Sequence, residues 1–198
     1  MSSAVFTNSY KVSIAKQLRM LNSASFLDSI QEEDDTMIQN FERIKHINRH
    51  GYLTVESQAG LHRSGINPQT RQTYSINERA YIAGFIPTQL ATRFIKLMSL
   101  HTDKIAQYVP KVSDTTYLPS QLDVPLTVES GKVVTHMSPA LPVHVWDMWR
   151  TQCHIHQREP VVFVECYDPK WDRHAMSESG LFTDVLHVLN MILKPSRR

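Results

Sequence analysis

The chain has 198 residues, of which only 6 are glycine, and its formal net charge is +2. A glycine share of roughly 3%, against about 7% in average proteins, argues against glycine-rich phosphate loops, collagen repeats and flexible Gly/Ser linkers. The balanced charge lacks the basic excess typical of nucleic-acid-binding proteins, so we expect no nucleic-acid partner.

The cysteine content and the hydropathy pattern indicate a compartment. Cys153 and Cys166 are too few for a disulfide framework, which favours a reducing environment. The N-terminal residues lack the apolar core of a secretory signal. No run approaches the ~20 apolar residues that a membrane-spanning helix needs. We therefore expect a cytoplasmic protein without a membrane partner.

The N-terminal part of the chain predicts an arm and then a helix. Residues 1–35 combine loose helical spacing with frequent Ser and Asn, which is typical of an arm or short helix. An acidic run at 32–35 favours the start of the next helix. Its apolar face continues through Ile44 and Asn48, and Gly51 is suited to end it in a left-handed turn.

Two apolar runs flank a polar segment in the next part of the chain. Residues 52–55 and 79–86 are apolar and predict two strands. Between them, residues 56–77 are polar and contain Gly60 and Gly65, which predicts a long loop. Loops of this length in compact domains are often functional.

The remaining elements alternate between helix and strand. We predict a helix at 89–100, a strand at 105–109, a loop at 110–124, a hairpin formed by 126–128 and 132–136, a helix at 143–153, a strand at 161–167 and a helix at 180–193. This alternation indicates an α/β fold with helices packed on a mixed sheet. We expect a single domain at 36–198, preceded by the arm at 1–35.

The predicted loop supplies the first candidate site. Glu56, Ser57, Gln58, His62 and Arg63 offer carboxylate, hydroxyl, amide, imidazole and guanidinium groups directly after a predicted strand. Ligands of open α/β sheets bind beyond the carboxyl ends of strands, and an arginine can clamp a phosphate or carboxylate. The alternative is a solvated loop whose side chains bond to its own backbone.

Two further charged residues begin the second apolar strand. Glu78 and Arg79 lie near the first candidate site if the strands at 52–55 and 79–86 are neighbours, and Arg79 is then a possible partner for Glu56. The alternative is an ordinary surface ion pair, which contributes at most about 1 kcal/mol.

The cysteines and histidines offer two other hypotheses. Cys153, His154 and His156 provide one half of a zinc-type ligand set, but the second ligand pair is not visible, so we predict no metal. Cys166 next to Glu165 is either a nucleophile or, more simply, a small buried side chain. No phosphate-binding, dinucleotide-binding or zinc-protease motif occurs, so we predict no cofactor and leave open whether the protein is an enzyme.

The C-terminal third is rich in tryptophan and methionine, with Trp146, Trp149 and Trp171 among them. Such residues form either a partner surface or an ordinary core.

The segments INRHGYLTVESQAG at 47–60 and ERAYIAGF at 78–85 resemble an uncharacterised family of proteins from large DNA viruses and some bacteria. The resemblance covers residues 47–86. It implies that one structural unit contains Asn48, Gly51, Thr54, Ser57, Gln58, Gly60, Arg79, Gly84 and Phe85. A viral source would imply a virion component or a protein that binds a host factor, located in the virion or the host cytoplasm.

These observations support two functions of different classes. The absence of a catalytic motif favours a non-enzymatic interaction or structural protein with a protein partner. The alternative is a protein or enzyme that binds a nucleotide or another anionic small molecule at 56–65. That alternative requires Arg63 or Arg79 to meet Glu56, Ser57 and Gln58 in a concavity. The sequence leaves the oligomeric state open.

Overall fold

The computed structural model describes residues 6–23, 35–113, 124–171 and 173–194. The helices in this part of the chain are α1 Asn8–Leu21, α2 Asp35–Arg49, α3 Thr88–His101, α4 Val143–Gln152 and α5 Leu181–Leu193. The strands are β1 Leu53–Ala59, β2 His62–Ile66, β3 Thr73–Glu78, β4 Ala80–Pro87, β5 Ile105–Tyr108, β6 Lys111–Val112, β7 Val124–Glu129, β8 Lys132–Met137, β9 Leu141–Pro142 and β10 Val161–Tyr167.

A four-stranded antiparallel sheet in the order β1-β4-β10-β5 forms the centre of the fold. Helices α2, α3 and α5 cover one face, where Ile47, Phe94 and Leu189 belong to one buried apolar cluster with Ile82 of β4. Helices α1 and α4 cover the other face. Since β4 and β10 are buried on both sides, their sequences are almost continuously apolar.

The other face of the sheet has an aromatic core. Phe85 of β4 and Phe163 of β10 are directly paired. Their rings pack edge to face, with 5.1 Å between the ring centres. Trp146 and Trp149 of α4 pack against Phe163. These tryptophans therefore belong to the core, as the second interpretation of the tryptophan-rich segment predicts.

β1 approaches β4 very closely. A Cβ atom at Gly84 would lie 2.2 Å from the carbonyl oxygen of Leu53, so only glycine fits there. The β1–β4 pairing also confirms that the two apolar runs flanking the polar segment are neighbouring strands.

A second antiparallel sheet, in the order β2-β3-β7-β8, continues from the end of β1. The prediction of a loop at 56–77 is therefore wrong, because the end of β1, all of β2 and most of β3 fall within it. The polar sequence misled the prediction because β2 is almost entirely solvent-exposed and carries no alternating apolar residues.

The predicted α/β class with helices packed on a sheet is confirmed. Both four-stranded sheets are antiparallel, and the parallel pairing in the described residues is the short one between β6 and β9. Residues 32–34 of the acidic run and most of the predicted loop at 110–124 lie outside the described residues. Within the described ranges, no helix has both the length and the apolar character needed to cross a bilayer.

Candidate functional site

A cavity of about 540 Å³ opens along the outer edge of β1, and we call it the edge cavity. Its apolar wall consists mainly of Met20, Leu21, Phe41, Ile44, Val55 and Phe182. Its polar wall includes Gln17, Asn40, Thr54, Glu56, Ser57 and His154. The cavity therefore extends from α1 across the edge strand to α2.

The peptide groups along this edge of β1 are partly bonded already. The Thr54 carbonyl accepts a hydrogen bond from Gln17 Nε2 at 3.1 Å, and the Thr54 amide donates to Asn48 Oδ1 at 3.1 Å. Farther along the strand, the Ala59 carbonyl accepts from the Ala175 amide. Because antiparallel strands alternate the direction of their peptide groups, those of Ser57 also face this edge.

A β-bulge shapes the floor of the cavity. Thr54 pairs with Gly84 and Glu56 pairs with Ala83, so Val55 is an extra residue in β1. Val55 packs into the core beneath α1, and Glu56 bonds to Tyr81, which packs against that same core. The bulge therefore directs two successive side chains to one face.

Two amide side chains in the cavity wall lack hydrogen bonds. Asn40 is 3% exposed, and neither its Nδ2 nor its Oδ1 has a hydrogen-bond partner among the described residues. Gln17 is 4% exposed, and its Oε1 is also unpartnered there, whereas its Nε2 bonds to Thr54. An unsatisfied buried polar group costs about 1–3 kcal/mol, so three such atoms in one wall require an explanation.

Asn48, two turns farther along α2, is also buried, but its side chain is fully hydrogen-bonded. It is fully buried, its Nδ2 donates to the Ile44 carbonyl and to Thr54 Oγ1 at 2.8 Å each, and its Oδ1 accepts from the Thr54 amide. These bonds tie the end of α2 to the start of β1. Asn48 therefore has a structural role.

The residues of the first candidate site separate into different places. Ser57 and Glu56 line the edge cavity, but Gln58 donates instead to the Arg79 carbonyl at 3.1 Å. His62 and Arg63 lie on the exposed strand β2, outside the cavity lining. Neither Arg63 nor Arg79 is among the described residues that line this cavity with Glu56 and Ser57.

Glu78, the last residue of β3, and Arg79, which precedes β4, also make other contacts. The Arg79 guanidinium lies over the Trp171 ring, 4.2 Å from its centre, and Glu56 is hydrogen-bonded to the Tyr81 hydroxyl instead. Partial burial raises the pKa of Glu78, and the charge of Arg63 opposes that shift. Glu78 and Arg63 are therefore close to each other on the second sheet.

The electrostatics of the edge cavity favour an uncharged occupant. None of the described lining side chains is a lysine or an arginine. Loss of solvent raises the pKa of Glu56, and the Tyr81 hydrogen bond only partly opposes this shift. This shift disfavours the charged form of Glu56, and the described lining offers no lysine or arginine to attract an anion.

The cysteines do not have the environment of nucleophiles. Burial raises the pKa of the Cys153 thiol to about 12 and raises that of Cys166 as well, so both remain neutral thiols. Within the described ranges, no three His, Cys, Asp or Glu side chains are grouped closely enough to hold a metal ion.

The sequence interpretation missed Gln17 and Asn40. A signal for Asn40 was present, because positions 40, 44 and 48 follow helical spacing and place a polar residue on the apolar face of α2. Gln17 gave no comparable signal, since the polar residues around it in α1 obscure its buried face.

Comparison with known proteins assigns the chain to a family. No curated protein gives a significant match. The profile of a family described as a domain of unknown function, DUF6919, matches residues 17–191, which include α2, both four-stranded sheets and the edge cavity. The match agrees with the predicted membership of an uncharacterised family, and the chain belongs to the DUF6919 family.

Proposed function

We propose that this protein binds an uncharged, largely apolar small molecule in the edge cavity. The observation that carries the proposal is the set of buried, unpartnered amide atoms of Asn40 and Gln17 in a cavity that also has a large apolar wall. A bound molecule that hydrogen-bonds to these atoms would remove the cost of leaving them unsatisfied. Ligand sites typically have this composition, with an apolar lining and a few placed polar groups.

The size and the charge of the cavity support the same class of ligand. Its volume of about 540 Å³ lies within the range of roughly 300–1,000 Å³ that is usual for small-molecule sites. Arg63 and Arg79, which the hypothesis of an anionic ligand or nucleotide requires, are not part of its lining. We therefore propose an uncharged ligand in place of an anionic one.

The edge of β1 argues against a peptide that binds as an added strand. Such a peptide needs a row of open backbone groups. Here Gln17 and Asn48 occupy the peptide groups of Thr54, and Ala175 occupies the Ala59 carbonyl. Only a short stretch around Ser57 remains between them, which favours a compact ligand.

The proposed activity is binding rather than catalysis. Cys153 lies in the cavity wall, but burial keeps it a neutral thiol and therefore a poor nucleophile. Two free thiols, both buried, are compatible with action in the reducing cytoplasm.

The proposal is tested with Nile red, an uncharged dye whose emission shifts to shorter wavelength in apolar surroundings. We expect saturable binding with a blue shift. The Ser57→Trp substitution places a large ring in the cavity and should abolish binding. The matched control is Ser64→Trp, at an exposed position of β2 outside the cavity lining, and it should bind as the unmodified protein does. Absence of saturable binding, or binding that Ser57→Trp leaves unchanged, would refute the proposal.

A second candidate function, binding of a protein partner, is supported by a different observation. The outer strands of the second sheet expose apolar side chains, with Ile66 of β2 at 66%, Val133 of β8 at 53% and Val134 of β8 at 54%. Edge strands with exposed apolar residues can pair with another chain. For a viral member of the family, that partner would be a virion component or a host factor.

The second candidate is tested by replacing Val133 and Ile66 with lysine, which blocks edge pairing. Loss of self-association or of a captured partner, measured by sedimentation, would support it. Unchanged sedimentation of a protein that is monomeric before and after the substitutions would refute self-association through this sheet.

A further inference from the structure

We infer that the ligand of the edge cavity presents an NH2 group beside a hydrogen-bond acceptor on a planar, uncharged frame, as in a primary carboxamide or an aminopyrimidine. This inference rests on the proposed function and specifies its ligand. It follows from the number and type of unsatisfied atoms in the cavity wall.

Asn40 supplies one donor nitrogen and one acceptor oxygen. Its Nδ2 and Oδ1 are both unpartnered, and no described residue holds the amide in place, so it can turn toward a ligand in the cavity. A planar group that carries an acceptor next to an N–H can pair with both atoms at once. Asparagine reads the edge of adenine by the same two-bond pairing.

Gln17 supplies a second acceptor. Its Nε2 donates to the Thr54 carbonyl, which fixes the orientation of the amide because only the nitrogen can donate to a carbonyl oxygen. Its Oε1 is therefore left as an acceptor without a donor.

The unsatisfied atoms of Asn40 and Gln17 are thus two acceptor oxygens and one donor nitrogen. An NH2 group offers two N–H donors, one for Asn40 Oδ1 and one for Gln17 Oε1, and the neighbouring acceptor takes the hydrogen bond from Asn40 Nδ2. A carboxylate offers no donor, and a hydrocarbon satisfies none of the three atoms. An NH2 group next to an acceptor gives each of these three atoms a hydrogen-bond partner.

The test uses three probes of nearly identical shape: benzamide, acetophenone and benzoate. They place NH2, CH3 or O⁻ beside the same carbonyl group on the same ring. Dissociation constants are measured by NMR titration of the intact chain. We expect benzamide to bind at least about tenfold more tightly than acetophenone or benzoate, because each of the latter leaves buried acceptors unpaired.

Two variants attribute the preference to Asn40. Asn40→Leu keeps the side-chain size and removes the amide, so the preference for benzamide over acetophenone should fall to about threefold or less. The control is Gln157→Leu, which removes an exposed amide outside the cavity lining and should leave the ratio unchanged.

The outcomes separate this inference from the proposed function. Equal binding of benzamide and acetophenone would overturn the inference and leave the proposed function intact. Binding of Nile red without binding of benzamide would do the same. A benzamide preference that survives Asn40→Leu would also overturn the inference. If neither Nile red nor any of the three probes binds, both fail.

Discussion

The two asparagines of α2 show how one residue type serves two purposes in one helix. Asn40 and Asn48 are both almost fully buried and are separated by roughly two helical turns. Asn48 makes three hydrogen bonds within the chain, and neither side-chain atom of Asn40 makes one among the described residues. Burial alone therefore does not distinguish a structural polar residue from a binding one. The difference lies in whether the chain itself supplies the partner.

The largest expected effect is at the bonded end of α2. Asn48→Leu removes three hydrogen bonds and leaves the buried Thr54 amide and hydroxyl without them, so the free energy of unfolding should fall by about 3 kcal/mol. Urea denaturation measures this change. Asn190→Leu is the control, because the described residues give the Asn190 side chain a single hydrogen bond, to the Leu186 carbonyl, and its loss should cost under about 1 kcal/mol. Equal losses in the two variants would contradict the structural role of Asn48.

A smaller loss is expected at Gly51, the turn that ends α2. Gly51 has φ +87°, a left-handed conformation, and a Cβ atom there would lie 2.4 Å from the Phe6 ring. Gly51→Ala should therefore cost about 1–2 kcal/mol of unfolding free energy. Gly131→Ala is the matched control, since Gly131 has φ +83° but open space around it. A cost at Gly51 no greater than at Gly131 would mean that Phe6 moves aside freely.

At the cavity end of α2, the same substitution should have the opposite effect. Asn40→Leu replaces two unsatisfied buried atoms with an apolar side chain of similar size. The free energy of unfolding should stay unchanged or rise by about 1 kcal/mol. A loss similar to that of Asn48→Leu, measured by the same urea denaturation, would show that Asn40 is bonded in solution and would remove the contrast between the two residues.

The smallest expected effect is a pH dependence at Glu56. Its pKa in the folded protein is raised above the ordinary 4.5, so the folded state binds more protons than the unfolded state as the pH rises past that value. Stability from this group is therefore complete below pH 4.5 and falls as the pH rises through the folded pKa. Glu56→Gln should match the unmodified protein near pH 4 and be slightly more stable near pH 7. A variant less stable at pH 7 than at pH 4, relative to the unmodified protein, would contradict this sign.

The regular core of the fold could be predicted from the sequence. The apolar face of α2, its end at Gly51 and the continuous apolar run of β10 are local patterns, and each is found where the pattern indicates. These elements are predictable because a buried face places apolar residues at regular intervals in the sequence. The polar strands β2 and β3 show no such apolar pattern, because their side chains are largely exposed or only half-buried.

The candidate site could be predicted only in part. Glu56 and Ser57 were found because they follow an apolar strand, and both line the edge cavity. Gln58 bonds instead to the neighbouring strand, since successive side chains alternate between faces. The rest of the cavity wall comes from α1, which is distant in the sequence, so no local pattern links Gln17 to Ser57.

The bulge at Val55 determines where β1 can change its length. In a regular strand, inserting or deleting one residue would move every later side chain to the opposite face. Here Val55 is already the surplus residue between Thr54 and Glu56. A chain without it would form a regular β1 with Ser57 and Ala59 still opposite Ile82 and Ala80. Relatives with β1 one residue shorter at this point would keep the sheet and lose one apolar side chain from the cavity wall.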